Sequence, residues 1–330
     1  MRKNLLNFIV CPNCQNKFIL SPLKKEGDEI IEGNLRCSQC QTEFPIINTI
    51  PRIIFKTTGT QEKTQKSFGY EWKKFSEMLS VWEENFRWYF EPCLPADRSC
   101  DAEFLKNKTI LEIGCGKGRH TFYASKYAKE LIAVDFSQAI DVAYQNNKAL
   151  KNIHFIQADI YHLPFLANIF DFVYCLGVLH HLPTPEQGFK EILKPLKKNG
   201  GVLIYLYHNF PKTSLKYWAI KFINFIRFFT TKMPYPLLYF FCWPIAGLIY
   251  LIFVIPYKLL KNKNLPFFLY TKYPFRVLLN DTFDRFSAPI ENRYYKEEII
   301  SWFKNNNLKL EKILSGGGWR AFGYKLMQPH

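Results

Sequence analysis

Residues Thr109 to Arg119 read Thr-Ile-Leu-Glu-Ile-Gly-Cys-Gly-Lys-Gly-Arg, an apolar run that breaks into closely spaced glycines and then enters a helix-forming stretch. A strand that turns directly into a helix in this way brings backbone very close to whatever lies above the turn, and residues without a Cβ allow it. The free amides at the start of the following helix then attract a carboxylate or phosphate. The surrounding pattern fixes the fold class. Expected strands at Thr109–Ile113, Leu131–Val134, Ile153–Gln157, Phe172–Cys175 and Gly201–Tyr207 enclose expected helices at Arg119–Tyr127, Ala139–Ala149 and Pro185–Leu196. That alternation describes an α/β, Rossmann-like, doubly wound parallel sheet. A helix at Lys296–Asn305 and strands at Leu308–Leu314 and Ala321–Met327 are expected to complete it.

Glycine-rich turns also serve nucleotide oxidoreductases, whose spacing is G-x-G-x-x-G. Here the turn is the compressed E-x-G-x-G-x-G, and the strand Leu131-Ile132-Ala133-Val134 ends in Asp135. The next two strands run into Gln157-Ala158-Asp159-Ile160 and into Gly177-Val178-Leu179-His180-His181-Leu182. In this order the segments resemble the cofactor motifs of class I S-adenosylmethionine-dependent methyltransferases, closely over 109–207 and loosely over 296–327. The resemblance implies that Glu112, Gly114, Cys115, Gly116 and Gly118 form the turn around the cofactor, with Asp135 on the ribose hydroxyls. It implies further that Phe136, Asp159, Ile160 and Leu176 lie on the nucleoside, Asp159 meeting the adenine amino group. Each residue also has a plainer role open to it: Glu112 could hold the turn's amides, and Asp159 could cap a helix. His180 and His181 are candidates for a catalytic base, or equally for backbone hydrogen bonding at a strand-to-helix junction. Methyl transfer needs mainly in-line positioning and exclusion of water, so a base is optional. No Asp/Asn-Pro-Pro-Tyr follows the fourth strand, which argues against the class that methylates exocyclic amines of nucleic acids.

Near the N-terminus, Cys11-Pro-Asn-Cys14 and Cys37-Ser-Gln-Cys40 are two C-x-x-C pairs, a spacing suited to a closed, tetrahedral, structural zinc site. Nine cysteines used in this way suit a reducing cytosol, and the opening residues lack the pattern of a signal peptide. The phrases Leu5-Leu6-Asn7-Phe8-Ile9-Val10 and Phe44-Pro45-Ile46-Ile47-Asn48-Thr49-Ile50-Pro51 resemble the small zinc-ribbon protein that activates several RNA and protein methyltransferases by heterodimerising with them. Fused here, it would act as a stabilising cap, a dimer surface or a substrate-recruiting module. After a polar linker, Lys56 to Gln65, the run Phe68, Trp72, Phe75, Met78, Leu79, Trp82, Phe86 has helical spacing, interrupted at Pro92 and Pro95.

The net charge of +16 is unevenly spread, for residues 208–280 hold ten Lys or Arg and no Asp or Glu. Within Lys212–Phe229, Leu215, Trp218, Ala219, Phe222, Phe225, Ile226 and Phe229 share one helical face, and Lys212, Lys216, Lys221, Asn224 and Arg227 the other. That is the pattern of a helix lying at a membrane interface. Met233 to Tyr257 carries no charge but is punctuated by Pro234, Pro236, Pro244 and Pro256. A single crossing is impossible, because sheet strands on either side of the insertion must lie on one side of a bilayer. The segment is expected to dip in and return, cross twice or lie along the surface, with Lys258, Lys261, Lys263 and Lys272 at anionic headgroups. A buried lid over an apolar small-molecule pocket and a single-stranded RNA surface are the alternatives. Asp284, Arg285, Arg293 and Tyr294, where the insertion returns to the mouth of the site, are candidate substrate contacts or equally part of a solvated loop.

Five regions are therefore expected: a zinc ribbon at 1–56, a helical lead-in at 57–108, a cofactor-binding core at 109–207, a largely helical lid insertion at 208–292 and the end of the core at 293–330. The expected function is S-adenosylmethionine-dependent methylation of an apolar or lipid-linked small molecule, in the cytoplasm at the inner face of the membrane. An RNA methyltransferase using the ribbon to hold its substrate, and a non-catalytic cofactor-binding partner protein, are the competing readings.

Overall fold

The computed structural model describes residues 1–57, 59–94, 101–260 and 267–327. Pro95, Lys261 and Lys263 lie outside the described residues.

The ribbon supplies β1 (Phe18–Glu26), β2 (Glu29–Cys37), β3 (Glu43–Ile47) and β4 (Ile50–Ile53). Helices α1 (Gly59–Lys74) and α2 (Val81–Phe90) follow. The core then alternates β5 (Thr109–Ile113), α3 (Arg119–Ser125), β6 (Glu130–Asp135), α4 (Ala139–Asn147), β7 (Ile153–Ala158), β8 (Phe170–Leu176), α5 (Pro185–Leu193) and β9 (Leu196–Tyr207). Next come α6 (Leu215–Thr230), α7 (Tyr235–Ile249), a π-helical turn at Tyr250–Val254, α8 (Ile255–Leu260) and α9 (Phe275–Ser287). Helix α10 (Lys296–Asn305) and strands β10 (Leu308–Gly316) and β11 (Gly318–Lys325) close the chain's fold. The segment read as a polar linker is largely helical, since α1 begins at Gly59. Its run of Thr, Gln, Glu and Lys has no apolar periodicity, and tertiary contact rather than pattern makes it a helix.

Described strands form one sheet in the order β1-β2-β3-β4-β7-β6-β5-β8-β9-β11-β10. Strands β7, β6, β5, β8 and β9 run parallel, and β11 pairs antiparallel with β9. The order reverses about β5, and ligands in such sheets bind at the carboxyl ends of the strands beside that reversal.

The ribbon is built into this sheet rather than tethered to it. Strand β4 pairs in parallel with β7, Arg52 opposite Gln157 and Ile53 opposite Ala158. Below it, Ile9 bridges to Phe165, and the amide of Val10 donates to the Pro164 carbonyl at 3.0 Å. Leu5, Ile9, Phe18, Leu35 and Phe44 share one hydrophobic cluster with Leu111, Val134, Ile156 and Val173 of the core. An edge strand exposes unpaired amides and carbonyls, and the ribbon covers the one at β7.

Candidate active site

Four strand ends bring residues around one cleft of about 600 Å³ at the carboxyl ends of the core strands. Gly114, Cys115 and Gly116 enter it from the end of β5, Asp135 and Phe136 from β6, Asp159 and Ile160 from β7, and Leu176 from β8. These eight residues, expected from the sequence at separate strand tips, come together in one cavity.

The turn owes its shape to glycine for different reasons at each position. Gly114 has φ +73°, and a Cβ there would lie 2.1 Å from Val178 Cγ2. Gly118 has φ +78°, and its Cβ would meet Asn147 Nδ2 at 2.4 Å. Gly118 does not line the cleft, so its role is to let α3 close on α4. Glu112 also lies behind the cleft wall. It is buried, accepts the Thr121 hydroxyl at 2.5 Å, and burial pushes its carboxyl up to about 7.

Asp135 is held ready beside the turn. One carboxylate oxygen accepts the Gly116 amide at 2.8 Å, and the other accepts the Ser137 amide at 2.8 Å and hydroxyl at 2.7 Å. Burial pushes its carboxyl above the usual range while these three donors pull it back. A carboxylate oxygen takes about two hydrogen bonds, so with three donors already bound Asp135 keeps one acceptor position, on the oxygen that takes the Gly116 amide, for a ligand hydroxyl. Asp159 does cap a short turn, accepting the Tyr161 amide at 3.1 Å, and still lines the cleft. The carbonyl of Phe136 is pinned by Gln65 Nε2 at 2.9 Å and Gln157 Nε2 at 3.1 Å.

The two histidines separate. His180 is fully buried, stacks on the Tyr207 ring at 3.8 Å and does not line the cleft. Burial holds its imidazole well below the ordinary range. His181 does line the cleft, and its Nδ1 lies 2.6 Å from the Ile290 carbonyl. A carbonyl only accepts, so Nδ1 donates to it, and in the neutral ring Nε2 is the nitrogen that can accept. Of the candidate substrate contacts, Arg285 and Arg293 line the cleft, whereas Tyr294 is buried against Trp302 and bonds through its backbone to Tyr207 and Asn209. Tyr294 is a structural residue.

Sequence reasoning missed the roof and the far wall. From α1 come Gln65, Phe68, Glu71 and Trp72, from α2 Trp82, Asn85 and Tyr89, and from α9 Asn280 and Asp281, beside Asp284, which the sequence offers with Arg285 and Arg293. Phe68 and Trp72 were legible as a helical stripe, but a stripe does not say whether it meets core or cavity. Glu71 gave no signal at all. It is buried, its Oε1 accepts Asn280 Nδ2 at 3.0 Å, and burial together with Asp284 and Asp281 pushes its carboxyl well up.

At the ribbon, the four cysteine sulfurs lie within 4.8 Å of one another, Cys11 and Cys40 at 3.6 Å and Cys14 and Cys37 at 3.3 Å. Zinc–sulfur bonds of about 2.3 Å place tetrahedral ligands about 3.8 Å apart, so the cage fits zinc. Each knuckle ends alike, in a glutamine with φ +61°, at Gln15 and Gln41. With four sulfur ligands and no open position, this zinc site is structural.

A sheet reversing at β5, with glycine amides and an acidic side chain at adjacent strand tips, is a Rossmann-like, nucleoside-binding arrangement. Residues 111–204 match the methyltransferase domain family, and residues 2–48 match the Trm112p-like protein family. The chain is 31% identical over 138 residues to an uncharacterized protein of Synechococcus sp., covering 40% of this chain and 33% of that one. It is 31% identical over 103 residues to a tRNA U34 carboxymethyltransferase of Nautilia profundicola, covering 30% of this chain and 34% of the relative. The chain thus spans about a third of the length of these relatives. A crystal structure of a SAM dependent methyltransferase from Aquifex aeolicus aligns with TM-score 0.44 and 14% identity, covering 78% of this chain and 98% of that one.

Proposed function

We propose that this protein is an S-adenosylmethionine-dependent methyltransferase that works in the cytoplasm at the inner face of a membrane, on a lipid-linked acceptor. Bound in the cleft, the cofactor supplies a methyl group on a sulfonium leaving group. Gly114 and Gly116 would pass along it, Asp135 would accept a ribose hydroxyl, and Phe136, Asp159, Ile160 and Leu176 would surround its base. Helix α1 would cover it and exclude water, and His181 Nε2 would take a proton from the acceptor.

The observation that carries the membrane reading is the outer surface of α6 and α7. Leu215 is 87% exposed and Phe240 69%, and Trp218, Phe222, Phe225, Phe228, Phe229, Leu237, Trp243, Leu248, Leu251 and Ile252 are exposed with them. So many large apolar side chains exposed along consecutive helices are foreign to a molecule that meets only water. Lys212, Lys221, Lys232 and Lys258 belong to the same stretch of chain, with no acidic residue between 208 and 280. Exposed apolar rings ringed by lysine complement an anionic lipid surface. Tyr235–Lys258 is also long and apolar enough to cross a bilayer. Its Leu238, Tyr239, Cys242 and Ala246 are nevertheless buried against the protein, with α9 as the main partner, so it lies on the surface. The opposite face of α6 looks inward, where Lys216, Ala219, Ile220 and Ile223 line the cleft. One helix therefore faces both the membrane and the active site, which suits an acceptor that never leaves the lipid.

The relatives named as tRNA U34 carboxymethyltransferases favour RNA as the second reading. Transfer of labelled methyl from the cofactor into a cell extract, partitioned between organic phase, RNA and protein, separates the two. Label in the organic phase is expected, and label confined to RNA would replace this reading.

A further inference from the structure

Seven residues lining the cleft carry buried side-chain polar atoms with no hydrogen-bond partner: Glu71 Oε2, Trp82 Nε1, Asn85 Oδ1, both ring nitrogens of His120, Asn280 Oδ1, Asp284 Oδ1 and Arg293 Nε. A buried polar atom left unpaired costs about 1–3 kcal/mol, so such a concentration around one cavity is a site shaped for donors and acceptors that a ligand brings. None of the seven residues belongs to the strand-tip loops proposed above to hold the nucleoside. They come from α1, α2, the first turn of α3, α9 and the return from the insertion. Four of the atoms are oxygens, on Glu71, Asn85, Asn280 and Asp284.

Resting on the methyltransferase reading above, we propose that this wall binds the polyhydroxylated, glycosyl head group of the acceptor, and that one of its hydroxyls is methylated. The chemistry around the wall matches a neutral polyol. Asp281 accepts the Tyr270 hydroxyl at 2.7 Å, and Asp284 lies 3.4 Å from the Tyr207 hydroxyl, while Arg119 and Arg285 offset the charge of Asp281. A strongly anionic head would meet the carboxylates, and an apolar ring would leave every orphaned atom unpaired. Tyr89 and Tyr205, with ring centroids 5.1 Å apart, give the apolar faces of a sugar ring something to pack on. In the transfer, an acceptor hydroxyl oxygen forms the bond to the methyl carbon as the methyl–sulfur bond breaks with its electron pair going to sulfur. The hydroxyl proton passes to His181 Nε2.

The test uses the intact, zinc-loaded chain, labelled cofactor and a total lipid extract. Hydrolysis of the glycosidic bonds in hot aqueous acid, which leaves methyl ethers intact, should move the label from the organic phase into a water-soluble O-methyl sugar. Label that remains with the lipid overturns the head-group assignment while leaving lipid-linked methylation standing. Label found in RNA alone, or nowhere, removes the function on which the assignment rests. Asn280→Ala and Asp284→Asn should each lower transfer at least tenfold, with affinity for S-adenosylhomocysteine within twofold of the parent. Equal loss of that affinity would assign α9 to the cofactor and end the proposal.

Discussion

Neighbouring residues in this chain carry unlike duties, and the difference lies in which way a side chain points. Asp135 and Gly118 belong to one motif, yet one faces the cleft and the other faces α4. Asp135→Ala should therefore weaken S-adenosylhomocysteine binding roughly 100-fold, the loss of a hydrogen bond to a charged group worth about 2–3 kcal/mol, with melting temperature little changed. Gly118→Ala should do the reverse. A Cβ in left-handed backbone against Asn147 costs about 1–3 kcal/mol of stability. Calorimetry and thermal melts on both variants check the pair, and a collapse of binding in Gly118→Ala at a temperature where it remains folded would contradict this division. His180 and His181 divide in the same way: one ring is stacked on Tyr207 inside the protein and the other opens on the cleft. No property of two adjacent identical letters distinguishes them.

Helix α6 is the element whose sequence was most informative and whose placement was least so. Its aromatic stripe was legible, and the structure leaves Leu215, Trp218, Phe222, Phe225 and Phe229 exposed. Arg227, read on the charged face opposite that stripe, points inward. It is buried in an ion pair with Glu291 at 2.6 Å and donates from Nε to the Arg285 carbonyl at 2.9 Å. Burial pushes the Glu291 carboxyl up, and Arg227, Arg293 and Arg285 more than offset that and hold it low. The helix is thus pinned by charge on its inner side and free on its outer side. Phe222→Asp combined with Phe225→Asp should cut flotation with phosphatidylglycerol vesicles at least tenfold and leave S-adenosylhomocysteine binding intact. Unchanged flotation would remove the membrane from the account of this insertion.

Across the whole molecule, ribbon and core behave as one body, because β4 extends the sheet and the two share a hydrophobic cluster. Arg52 at the end of the ribbon reaches Gln157 at 3.2 Å, and Gln157 in turn holds the Phe136 carbonyl beside the cleft. Structural zinc contributes about 10–16 kcal/mol to small modules that cannot build a core of their own. Removing it with a chelator should therefore lower the melting temperature of the entire chain in a single transition and take cofactor binding with it. Two separate transitions, the later one still binding cofactor, would show the ribbon to be independent. By itself the sequence determined the sheet, the cofactor turn and the zinc cage, since each rests on local spacing: apolar period, glycines at fixed steps and cysteine pairs. Only the tertiary structure decided that the ribbon seals the sheet, that Glu71, Asn280 and Asp284 share a wall, and that Tyr294 and His180 lie behind one. Those facts join residues as far apart as Glu71 and Asp284, and such contacts follow from the packing of whole elements, which no local pattern encodes.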